Sequence, residues 1–369
     1  LVQTILATKK RIVRALFSIS CGTAFACGDG SPANESEATD DDTPSDESEG
    51  ESTAPETSDE ASSDIDDTGD TSSEDDSEQS SETSESSESG ESTASSDDES
   101  SESESGDDDA TPQELPPVTG TCPRFDAGEN EFSPSGLTKA RTVEIWRSNA
   151  ANDKDGPLII YWHGTNSSPI EVQAGLGQAV IDEVLAQGGI IAAPTADPDA
   201  GTFPWFLVSG TREDDMVLAD EIVACAREKV GIDTAHIHTL GMSAGGLNAS
   251  QMSFRRSTYL ASSVIYSGGL AATTPPNQDP SNHFASMIFH GGESDMVVIG
   301  FKEASERYQK ALTDAGNFSF ICDHGEGHTI PRDANASVLR FFEDHPYHTD
   351  PEPYEEELPA DFPSYCALP

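Results

Sequence analysis

The chain has 369 residues, and its 69 Asp and Glu against 19 Lys and Arg give a formal charge of −50 at pH 7. That balance argues against nucleic acid as a partner, since it offers no basic surface to meet phosphates. The acid is concentrated in one stretch: from Asp29 to Glu114 there are 34 Asp or Glu and no Lys or Arg. The ~250 residues beyond it are of ordinary composition and suit one α/β domain.

Residues 1–27 read as an export signal. Lys9, Lys10, Arg11 and Arg14 form a positive leader, and Ile12 to Ala26 is mostly apolar. Ala24-Phe25-Ala26 then precedes Cys27. Such an apolar run is short for a membrane span. Small residues before a Cys are the pattern of a bacterial lipoprotein signal, with Cys27 lipidated and first in the mature chain, although Ala24 stands where Leu is usual. Cys21 after Ser20 is a weaker second candidate. The expectation is an exported protein that meets a membrane only through this anchor.

Residues 28–117 are predicted to be a disordered acidic linker rich in Ser, Asp and Glu. Such a composition buries too little apolar surface to offset its ordering entropy, and its charges repel one another. It is read as a tether.

Residues 118–369 are predicted to form an α/β domain with a doubly wound, mostly parallel sheet. Arg141–Trp146 alternates like a half-buried strand, whereas Pro157–Trp162 is a continuous apolar run, as in a strand covered on both faces. A helix is predicted over Ile170–Gln187 and a strand over Gly189–Ala193. Glu213–Val230 is the next helix, with an acidic first turn and basic residues near its end. His236–Met242 is a strand and Ala244–Phe254 a helix directly after it. Strands over Ser262–Ser267, Ser286–His290 and Phe318–Cys322 follow, with helices at Phe301–Ala315 and Ala334–Glu343. Past Asp344 the chain is Pro-rich and acidic, and is expected on the surface. Cys122, Cys225, Cys322 and Cys366 lie in the domain; in an exported protein they favour two disulfides, in any of three connectivities. No Cys or His spacing suggests a metal site, and no cofactor is implied.

The main chemical signal is Gly241-Met242-Ser243-Ala244-Gly245-Gly246. A G-x-S-x-G between a predicted strand and a predicted helix is the setting of a nucleophile elbow, with the Ser hydroxyl held out at the strand's end. Serine needs a base, oriented by an acid, and in this chain order the acid comes first and the histidine last. Asp295, in FHGGESD, and His328, in HGEGHTIP, follow predicted strands and are the candidate acid and base. Glu293 and His324 are their near rivals. Ala244 N–H is one expected oxyanion donor, and Thr165 N–H, from the loop His163-Gly164-Thr165-Asn166-Ser167-Ser168, the other.

Taken together, HGTNSS, GMSAGG, HGGESD and CDHGEGHTIP resemble the polyhydroxybutyrate-depolymerase-like and feruloyl-esterase-like branch of the α/β-hydrolases, over roughly Pro157 to Phe342. Ile232-Asp233 resembles the start of a D-x-x-R-I-Y stretch of that branch, with His236 in place of Arg. The acid motif is one residue longer than the usual HGxxD. Phe203-Pro204-Trp205 resembles its Trp-containing loop, which implies that Trp205 contacts substrate. The resemblance implies hydrolysis of carboxylic esters: polyester, feruloylated or acylated polysaccharide, or small acyl esters. The alternatives are a peptidase of the same fold and an inactive surface-binding module.

Overall fold

A computed structural model describes residues 113–207 and 212–369. The signal, Cys27 and nearly all of the acidic linker lie outside the described residues.

Nine strands form one sheet: β1 (Gly128–Phe132), β2 (Arg141–Trp146), β3 (Leu158–Trp162), β4 (Ile190–Pro194), β5 (Ile237–Met242), β6 (Ser262–Tyr266), β7 (Ala285–His290), β8 (Ser319–Asp323) and β9 (Cys366–Ala367). Their order across the sheet is β1-β2-β4-β3-β5-β6-β7-β8-β9. The six strands from β4 to β8 pair in parallel, and β1, β2 and β9 run antiparallel at the edges. Every residue of β3, β4, β5, β6 and β7 is buried, which explains their unbroken apolar runs, whereas β2 alternates because one of its faces is less covered.

Helices cover both faces. α1 (Gln178–Ala186) and α5 (Asn335–Asp344) set Val180, Ile181, Val184, Val338 and Phe341 against Ile159 and Tyr161 of β3 and Val264 of β6. On the other face, α2 (Asp214–Lys229), α3 (Ala244–Arg255) and α4 (Phe301–Asp314) bring Leu218, Ile222, Met252, Phe254, Tyr308 and Leu312 against Ile160, Trp162 and Ile265. Alternate β3 residues thus feed two separate cores.

The single helix expected over Ile170–Gln187 is broken. A 3₁₀ turn at Pro169–Glu171 and a short helix at Val172–Gly175 end before Gly177, and α1 starts after it. Gly177 has φ 75°, and a Cβ there would lie 2.2 Å from the Asn335 side-chain amide. The helical backbone cannot run through that residue.

The stretch after Asp344 is not merely superficial. Tyr354 and Phe362 are buried with Phe320 and Phe341, and β9 pairs with β8. Disulfides join Cys122 to Cys225 and Cys322 to Cys366. Folded structure also starts ahead of residue 118: Gln113 Nε2 donates to Thr234 O at 2.6 Å and Glu114 N–H to Thr258 O at 3.1 Å. Among the described residues no helix is long and apolar enough to cross a membrane.

Candidate active site

β5 delivers the chain to Ser243, which stands between strand and helix with φ 57° and ψ −118°. A positive φ is costly for a non-glycine residue and persists only where its surroundings enforce it. Here Ser243 N–H is tied to Tyr266 O on β6 at 2.9 Å. α3 begins at once and crosses close to β3, so a Cβ on Gly245 would fall 1.8 Å from Trp162 O. The G-x-S-x-G spacing is therefore a packing requirement as much as a turn signal.

Two further strand ends bring the partners. Asp295 follows β7 and is 1% exposed; His328 follows β8. His328 Nδ1 lies 2.7 Å from Asp295 Oδ1, and His328 Nε2 lies 2.9 Å from Ser243 Oγ. The other Asp295 oxygen accepts from Ser267 Oγ at 2.8 Å and from Gly291 N–H at 3.0 Å. Burial pushes the Asp295 carboxyl up, but hydrogen bonds from His328, the Gly291 amide and Ser267 hold it below its ordinary value. An ionised Asp295 makes Nδ1 of His328 the protonated nitrogen and leaves Nε2 as an acceptor toward Ser243.

The rivals are elsewhere. The Glu293 side chain is 81% exposed and pairs with Lys302. His324 Nδ1 accepts from Glu326 N–H at 3.3 Å and has no contact with Ser243. Sequence reasoning missed Ser267 and Phe301. The Phe301 ring stacks on the His328 imidazole at 4.6 Å, 27° from parallel, and walls one face of it. No local motif marks either residue: Ser267 reaches the site because β6 lies beside β7, and Phe301 because its amide, at the start of α4, donates to Asp295 O at 2.9 Å.

The loop after β3 lies over Ser243: a Cβ on Gly164 would touch Ser243 Cβ at 3.4 Å. The amides of Thr165 and Ala244 donate to no other described residue. Glu171, also unforeseen, takes Gly164 N–H at 2.9 Å and Tyr161 OH at 3.1 Å on one oxygen. Trp205 departs from expectation. It is fully buried, edge-on to Trp162 at 4.9 Å, and its indole N–H donates to His163 O at 2.9 Å. A side chain with no exposed surface cannot stack on substrate; Trp205 packs beneath the loop.

No protein-family model and no curated protein matches the chain. Solved structures do. Native pOPH superposes with a TM-score of 0.56 and 16% identity over 69% of this chain and 97% of its own. Native sOPH gives a TM-score of 0.55 and 18% identity over 68% and 97%. At such identities the likeness is one of fold. The sheet order, the two helical layers and the strand-to-helix turn at Ser243 are those of an α/β-hydrolase.

Proposed function

We propose that the chain is an exported serine esterase whose catalytic domain, residues 118–369 with the few packed residues before them, hydrolyses carboxylic esters through an acyl-enzyme. The reading rests on one observation, the hydrogen-bonded relay Ser243–His328–Asp295, whose members follow β5, β8 and β7, with β6 lying between β5 and β7. His328 Nε2 takes the Ser243 proton as Oγ attacks the ester carbonyl carbon. The amides of Thr165 and Ala244 stabilise the oxyanion, and Asp295 stabilises the imidazolium. The tetrahedral intermediate collapses, and His328 returns its proton to the departing alkoxide. Water, deprotonated by His328, then attacks the acyl-Ser243 carbonyl, and His328 returns that proton to Ser243 Oγ as the acid leaves. Substrates of this reading are aliphatic polyesters, feruloylated or acylated polysaccharides and small acyl esters.

Export is supported by the N-terminal pattern ending at Cys27 and by two disulfides, which persist in oxidising compartments. Cys27 is then the lipid attachment point. The test is an ester panel run beside matched amides, with fluorophosphonate labelling, on wild type and Ser243→Ala. Turnover of esters and labelling of Ser243, both lost in the variant, are expected. Faster turnover of amides makes the protein a peptidase, and a wild type that neither labels nor turns over leaves only a binding role.

A further inference from the structure

Two consecutive peptide groups of the loop after β3 are held at almost every polar atom. In the first, His163 O accepts from Trp205 Nε1 at 2.9 Å and Gly164 N–H donates to Glu171 Oε1 at 2.9 Å. In the second, Gly164 O accepts from His163 Nδ1 at 2.8 Å and from Ser167 N–H at 3.1 Å. Its remaining polar atom, Thr165 N–H, has no acceptor among the described residues. A trans peptide is planar and directs its C=O and N–H to opposite sides. Fixing Gly164 O with two donors therefore aims Thr165 N–H away from them, and fixing the preceding peptide at both ends prevents the pair from rotating.

Glu171 is the keystone of that clamp. It removes the one competing amide, Gly164 N–H, and it is itself anchored by Tyr161 OH from β3. Burial, and then the charge of Glu171, hold the Tyr161 phenol well above its ordinary range, so it remains a donor. Burial lowers the His163 imidazole, which stays neutral and donates through Nδ1. A carboxylate beside a developing oxyanion is electrostatically adverse, and the two donors it receives offset part of its charge. The acceptor oxygen, not the charge, is then what the loop uses.

We propose that Glu171 is a positioning residue for the oxyanion loop: with Trp205 it clamps the His163–Gly164 peptide and so aims Thr165 N–H at the carbonyl attacked by Ser243. This rests on the esterase reading. The experiment compares wild type, Glu171→Ala and Glu171→Gln for kcat and KM on a soluble acyl ester. It also measures affinity for a trifluoromethyl ketone, whose adduct places an oxyanion in the same position, and fluorophosphonate labelling of Ser243. In Glu171→Ala, kcat falls roughly 10- to 100-fold, less than the loss of a whole oxyanion donor. Ketone affinity falls in parallel, KM changes little and Ser243 is still labelled. Glu171→Gln keeps the acceptor and restores kcat and ketone affinity to within a few-fold. An alanine variant with unchanged kcat, an effect confined to KM, or a glutamine variant as impaired as the alanine one overturns the clamp while leaving the esterase reading intact. A wild type without ester turnover or labelling overturns both. Should Glu171→Ala fail to fold, Trp205→Phe removes the indole donor from the same peptide while keeping an aromatic ring in the buried site. It must then show the same loss of kcat and ketone affinity at unchanged KM, and wild-type values in it overturn the proposal.

Discussion

Ser243 is held in a backbone conformation it would not choose, and the groups that hold it are all backbone: Tyr266 O at its amide and the start of α3 after it. Ser243→Ala leaves these intact. The variant is expected to keep the wild-type unfolding midpoint while ester turnover falls by about 10⁴-fold or more, since such relays act as a unit. A labelled serine elsewhere in the variant sinks the assignment. Asp295→Asn should cost nearly as much, because a neutral amide no longer fixes the His328 tautomer. Glu293→Gln, at an exposed ion pair with Lys302, should leave turnover within about two-fold of wild type. The reverse ranking would move the acid to 293. Stability carries a pH signature as well. The native-state pKa of Asp295 is depressed, so its stabilising contribution is complete above the unfolded-chain value near pH 4 and is lost as pH falls through the native value. The stability gap between wild type and Asp295→Asn should therefore shrink on acidification below about pH 4; a gap that widens there contradicts the assignment of its hydrogen bonds.

Among the elements, β2 begins with Arg141, a buried guanidinium between Asp197 at 2.9 Å and Asp215 at 3.3 Å. The three join β2, the loop after β4 and the start of α2. Asp215 also accepts Phe206 N–H at 2.7 Å, next to Trp205. Burial outweighs the Phe206 amide and Arg141 and pushes the Asp215 carboxyl up to about 6. A raised native pKa favours folding below the unfolded value and loses that contribution as pH climbs through about 6. Stability of wild type relative to Asp215→Asn should decline from pH 4 to pH 7 in urea titrations; a rise over that range would show that Arg141 dominates. Arg141→Met strands both carboxylates and should cost about 3–5 kcal/mol. None of this network was legible in the sequence, where Arg141 is only the polar first residue of an alternating strand. Most of the parallel strands were legible because burial on both faces leaves an apolar run, and Ser243, Asp295 and His328 stood out as candidates because each comes shortly after a parallel strand. β1, with GENEF, has too few apolar residues to signal a strand, and β9 has only two residues. The break at Gly177 hides inside a continuous apolar periodicity. Tyr354 and Phe362 are isolated aromatics in an acidic, Pro-rich stretch, and only the fold shows what they pack on. Trp205 was read from a resemblance, and burial gives it another role.

For the whole molecule, the acidic run ahead of Gln113 is proposed as a spacer between a lipidated Cys27 and the enzyme. Because Gln113 and Glu114 are bonded to the domain, its deletion must stop at residue 112. Removing residues 31–112 should leave turnover of a small soluble ester unchanged in the purified protein and reduce attack on a bulky substrate by whole cells. Impaired turnover of the small ester would make the run part of the enzyme. Cys122–Cys225 and Cys322–Cys366 close spans of 103 and 44 residues, for which loop entropy predicts stabilisation of about 4–5 kcal/mol each. Replacing the second pair with Ser should release β9, and with it Tyr354 and Phe362, lowering the thermal midpoint while kcat measured well below that midpoint stays close to wild type.

The same two cross-links decide how the domain bears mechanical load. A domain pulled at both ends of its chain is under tension, and from the N-terminal side the pull reaches the described residues at Gln113. Within a few residues it meets Cys122, and the bond to Cys225 carries the force across the base of α2 without stretching anything between. At the other end, Cys366 passes the load to Cys322 on β8. Extended chain of roughly 350 Å and 150 Å is thereby withheld from the pulling axis. What remains extensible is mainly the stretch from Cys225 to Cys322, which contains Ser243 and Asp295. Under tension the domain should yield by unzipping β5, β6 and β7, so that such a load separates Ser243 from Asp295 before it opens either cross-linked end.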